Sequence, residues 1–68
     1  MIDYEYECVA CDVVGNKVVT MESGIKANGD PIYRVTVFSA QKRVEATYRK
    51  MGAAYATYQL LLRVCAMD

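Results

Sequence analysis

Three acids, Asp3, Glu5 and Glu7, recur at every second position near the start of the chain, and Cys8 and Cys11 follow at a spacing used by metal-chelating thiolates. On an extended strand the three carboxylates share one face at intervals of about 6.6 Å, close to the spacing of successive phosphates along a nucleic-acid strand. Such a row can occupy the nucleic-acid site of another protein and speed docking through charge complementarity. The commoner duty of charges on one side of a strand is to keep an edge soluble and to block edge-to-edge pairing. The Cys-x-x-Cys pair is half a metal site: only Cys65 remains as a further thiol, and there is no histidine. Without histidine the chain lacks His-dependent triads, the HExxH arrangement and the commonest general acid or base at neutral pH. Small-molecule pockets run to roughly 300–1,000 Å³, which needs scaffold on several sides, and no catalytic set converges. The expectation is a non-enzymatic protein with no cofactor.

Two stretches resemble parts of known families. Tyr4 to Asp12 resembles the first half of a zinc ribbon, where a Tyr-rich strand leads into a Cys-x-x-Cys knuckle, although Asp12 stands where that family usually has glycine. The resemblance implies zinc held by Cys8 and Cys11, with four thiolates assembled by pairing two such stretches across the twofold axis of a dimer. The alternative is two buried free thiols and no metal, and this is preferred. Arg49 to Leu61, a basic pair followed by small residues and a double apolar position, resembles in spacing the last helix of double-stranded-RNA-binding domains. That resemblance implies a basic pair gripping phosphates from the start of a helix, and a nucleic-acid role would use Lys42, Arg43, Arg49 and Lys50 together. The formal net charge is +0, so affinity from counterion release would be modest, and nucleic acid is the second choice of partner.

Composition places the chain among globular proteins, since 54% of its 68 residues are hydrophobic and 24% charged, the opposite of a disordered balance. No apolar stretch nears the roughly 20 residues that cross a bilayer, and the acidic start is unlike a signal peptide. Three cysteines cannot all pair within one chain, which suits a reducing compartment, so a cytoplasmic location is expected. Charge is uneven: Asp3, Glu5, Glu7 and Asp12 are the charged residues before Val13, whereas residues 32–67 carry Arg34, Lys42, Arg43, Arg49, Lys50 and Arg63 against only Glu45. Six tyrosines exceed what a small core easily buries, which points to an interface and to a homodimer.

The elements that must position these groups follow from periodicity. Ile2, Tyr4, Tyr6 and Cys8 alternate with Asp3, Glu5 and Glu7, the pattern of a half-buried strand. Gly15-Asn16 between β-branched pairs suits a type II′ hairpin, with a second strand from Lys17 to about Glu22. Asn28-Gly29-Asp30-Pro31 is a turn, and the β-branched and aromatic run from Ile32 to Phe38 is a third strand. Ser39 as a cap, then Ala40, Val44, Tyr48 and Met51, predict a helix over 40–51, ended by Gly52 with Arg49 and Lys50 in its last turn. Alternation across residues 53–67 predicts a fourth strand. The spacing of Val44, Tyr48, Met51, Tyr55, Tyr58, Leu62 and Cys65 supports an alternative, one long helix from residue 40 to the end. The expected fold is therefore a two-layer α+β domain spanning residues 1–68. It has an antiparallel-rich four-stranded sheet and one helix in the order β-β-β-α-β, with β-β-β and a long C-terminal helix as the alternative.

The functional expectation is a small protein-binding module. Its size, its acidic strand beside basic residues and its lack of cofactor motifs make it similar in type to the small inhibitors that phages and other mobile elements use against host machinery, anti-CRISPR proteins among them. The implied action is blockade of a host nucleic-acid-handling protein by occupancy, through Asp3, Glu5 and Glu7 with Tyr4 and Tyr6 as anchors.

Overall fold

A computed structural model describes residues 6–67. Four antiparallel strands, β1 (Tyr6–Val14), β2 (Lys17–Ile25), β3 (Pro31–Phe38) and β4 (Arg43–Tyr48), form one sheet in the order β1-β2-β3-β4, and α1 (Met51–Met67) follows. The fold is α+β, a four-stranded antiparallel sheet with one helix.

The first two turns form as their residues dictate. Gly15 has φ 62°, the left-handed region open to glycine, and Val14 pairs with Lys17 across the two-residue turn. The Asn28 side-chain oxygen accepts from the Asp30 amide at 3.0 Å, an Asx turn that delivers the chain to β3.

The second half reverses the expected order: residues 43–48 are strand and residues 51–67 are helix, so the sequence of elements is β-β-β-β-α. Ala40, Val44 and Tyr48 lie four apart, and a spacing of four returns to the same face in a strand as well as in a helix. Ser39 does not cap a helix. Its hydroxyl accepts from the Lys42 amide at 3.3 Å and donates to the Lys42 carbonyl at 3.0 Å, closing the β3–β4 turn. In residues 53–67 nearly every position is apolar, so strand alternation and helical periodicity both fit, and the alanines and leucines settle the matter for helix. The alternative with a long C-terminal helix is right about this segment but begins it too early. Gly52 is the second residue of α1, not its terminator, and Arg49 and Lys50 precede the helix, at the end where the dipole disfavours cations.

Cross-strand register sorts the side chains. Ala10, Val19, Met21, Val35, Val37, Val44 and Tyr48 face α1, where Val19, Met21 and Val35 form the core with Ala54, Tyr58 and Cys65. Tyr6, Cys8, Thr20, Glu22, Arg34, Thr36, Phe38, Arg43 and Glu45 lie on the helix-free face. The register slips between Cys8 and Ala10, a β-bulge at Val9.

Candidate functional site

The helix-free face is built around Arg34. Its guanidinium donates two hydrogen bonds of 2.9 Å to the Glu22 carboxylate, lies 3.8 Å from Glu45 and sits 4.0 Å from the centre of the Tyr6 ring. The hydrogen bond to Glu22 raises the Arg34 pKa above the ordinary arginine value, and burial opposes it. Beside this cluster, Thr20 and Thr36 stand opposite each other on β2 and β3, and both hydroxyl oxygens are buried without a hydrogen-bond partner. They floor a shallow hollow of about 190 Å³, rimmed by Cys8, Phe38, Arg43 and the Arg34 cluster. Two arginines face two glutamates there, so the hollow is close to neutral.

The expected docking residues split around the edge strand. Glu7 is exposed and pairs in register with Ser23, on the helix side of β1, whereas Tyr6 turns to the helix-free side and covers Arg34. Asp3, Tyr4 and Glu5 lie outside the described residues. Glu7 and Tyr6 therefore flank the edge and do not share one flat face.

Cys8 and Cys11 are exposed free thiols, not the buried pair expected. They lie on an extended strand, not in a turn like that of a zinc knuckle, and the Cys8 thiol donates to the Ala10 carbonyl at 3.4 Å. The bulge at Val9 gives them the same face despite their odd spacing, since Cys8 pairs with Glu22 and Cys11 with Thr20. Among the described residues no group of three or more His, Cys, Asp or Glu is placed to hold a metal ion.

The four candidate cations separate into two pairs. Lys42 and Arg43 lie at the β3–β4 turn, and Arg49 and Lys50 follow the other end of β4, a strand of six residues that spans about 20 Å. Arg49 and Lys50 do stand at the start of the last helix, as in the double-stranded-RNA-binding resemblance, but Lys42 and Arg43 do not join them.

Most described tyrosines serve the core. Tyr58 is 4% exposed and donates to Asp12 at 2.8 Å, and burial followed by that bond pushes its pKa up to about 12. Tyr33 and Tyr48 pack half-buried against the same cluster, and Tyr55 stacks on Tyr58 from outside.

Sequence reasoning missed the outer flank of α1. Of its 17 residues only Ala54, Tyr58 and Cys65 are buried, while Leu60, Val64 and Met67 are 58%, 47% and 85% exposed. A second hollow of about 240 Å³ runs between this flank and β4, floored by Val37, Val44, Leu61 and Val64, with Lys17 and Lys42 at its rim. A signal was present in the sequence, because Ala53, Thr57, Leu60, Val64 and Met67 repeat at spacings of four and three, parallel to the core-facing series.

No helix of the described residues is long and apolar enough to cross a membrane. No protein-family model matches the chain, and neither a curated protein nor a solved structure does.

Proposed function

We propose that the chain is a non-catalytic binding module that acts by occupying a surface of a partner protein, with the acidic edge strand β1 as its contact. The observation that supports this is the contrast in charge pairing across the sheet. On the helix-free face Arg34 ion-pairs both Glu22 and Glu45, with Arg43 lining the same hollow, whereas Glu7 is exposed on an edge strand and makes no ion pair among the described residues. Asp3 and Glu5 precede Glu7 at the same two-residue interval. An acidic run of this kind attracts a cationic surface, and the two-residue interval of its carboxylates in the sequence favours one that evolved to hold phosphates. The partner is accordingly a host protein that handles nucleic acid, and the mode of action is that of a small inhibitor from a phage or other mobile element. Because Tyr6 is committed to Arg34, the acids carry this contact and Tyr6 supports it from the opposite face.

Charge reversal tests the reading. The immobilised chain should retain a nucleic-acid-binding protein from host extract, and duplex DNA should release it. The triple variant Asp3→Lys, Glu5→Lys, Glu7→Lys should lose that capture. Equal capture by the triple variant would reduce the acids to edge protection and end the proposal. Direct, salt-sensitive binding of RNA by the chain, lost on Arg49→Ala with Lys50→Ala, would replace it with the nucleic-acid role.

A further inference from the structure

A surface helix normally buries one stripe and exposes a polar face. In α1 the exposed flank is as apolar as the buried one: Ala53, Leu60, Val64 and Met67 carry it, Thr57 interrupts it, and Arg63 is the only charged residue within the helix. The flank continues onto β4 at Val44, which is 54% exposed beside the hollow that Leu61 and Val64 help to line. A helix with apolar residues on both flanks is a helix with two packing partners, of which the sheet is one.

We infer that the second partner is another copy of this chain, docked helix against helix in an antiparallel dimer whose twofold axis passes near Leu60. Two independent features select this occupant and orientation. The first is shape. An antiparallel pairing about Leu60 sets Leu60 opposite its own copy and Ala53 opposite Met67, so the small residue at the start of each stripe receives the large one from the end of the other. A parallel pairing sets small against small at one end and large against large at the other. The second is charge. Arg49 and Lys50 stand at the positive end of their own helix dipole, and the first turn holds no acidic residue to offset them. Antiparallel docking brings the negative end of the other helix beside each pair, whereas parallel docking stacks all four cations together. This inference does not rest on the proposed function, since the β1 edge lies outside the contact.

Sedimentation velocity over a concentration series tests the dimer. The native chain should associate with a dissociation constant on the order of micromolar, given one helix-length stripe as its apolar centre. Leu60→Glu places two carboxylates at the axis and should weaken association at least about 30-fold, with unchanged helical circular dichroism because Leu60 is mostly exposed. Orientation is read by cross-linking in a chain carrying Cys8→Ser and Cys11→Ser. Leu60→Cys should form a disulfide-linked dimer when diamide takes up the two thiol hydrogens, and Gln59→Cys, off the stripe, should not. A chain that stays monomeric at every concentration overturns the inference and leaves the flank to a different protein. A dimer that survives Leu60→Glu overturns it as well and moves the contact to a sheet edge.

Discussion

Tyr58 joins the helix to the far edge of the sheet through one hydrogen bond to Asp12, 46 residues earlier in the chain. Its ring is buried, so its ionised form is disfavoured first by desolvation and then by the neighbouring carboxylate. The unfolded chain ionises this phenol near pH 10 and the folded chain near pH 12, so between those values the folded state binds the proton that the unfolded state has lost. The contribution is complete below about pH 10 and is lost as the pH rises towards 12, so the fold loses stability on the alkaline side. Urea denaturation below and above pH 10 should show this loss, and Tyr58→Phe should remove most of it while costing about 1 kcal/mol at neutral pH. An identical alkaline loss in Tyr58→Phe would assign the effect to the other tyrosines. Thr36 presents the opposite case, a side chain 1% exposed whose hydroxyl has no partner. Valine has nearly the same shape without the unsatisfied group, so Thr36→Val should stabilise the fold by about 1 kcal/mol, and a destabilised variant would mean that the hydroxyl is bonded in solution. The burial of Thr36 was not legible in the sequence, because the long side chains around it provide the cover.

Among the elements, the strands up to Phe38 were legible because their turns have chemistry that only turns use. Gly15 and Gly29 both take positive φ, and each sits where a glycine beside a polar partner announces it. The later elements lacked such a marker. Ser39 serves a helix cap and a β-turn equally well, and Gly52 serves a helix end or a helix start, so the same letters supported two orders of strand and helix. The site inherited the error: a helix over 40–51 would have gathered Lys42, Arg43, Arg49 and Lys50 on one element, and β4 holds them apart. Gly52 separates the two orders by experiment. As a terminator it would need positive φ and resist a side chain, whereas in the first turn of α1 it has no positive φ, and an added Cβ meets nothing within 4 Å. Gly52→Ala should therefore stabilise the protein by roughly 0.5–1 kcal/mol in chemical denaturation. Loss of stability would restore the helix end to residue 52.

For the whole molecule the controlling fact is that one helix covers four strands. The principal extents of 39 × 25 × 15 Å describe a slab one sheet and one helix thick, and α1 packs chiefly over β2 and β3. The buried hydrophobics of the sheet, Val19, Met21, Ile32 and Val35, all belong to those two central strands, while residues 43–47 of β4 are exposed throughout. A core this small leaves little stability to share, and local opening follows the thinnest cover. Native-state hydrogen exchange should rank the amides accordingly: β2, β3 and the turns of α1 around Tyr58 slowest, with the unpaired edge amides of β1 and β4 exchanging through local fraying. Raising the protein concentration should slow exchange in α1 while the outer edge of β4 stays fast, because a dimer joined through the helices buries no strand edge. If β4 instead proves as protected as β2, its outer edge is paired in solution, and two sheets joined edge to edge would then be the assembly in place of two helices joined flank to flank.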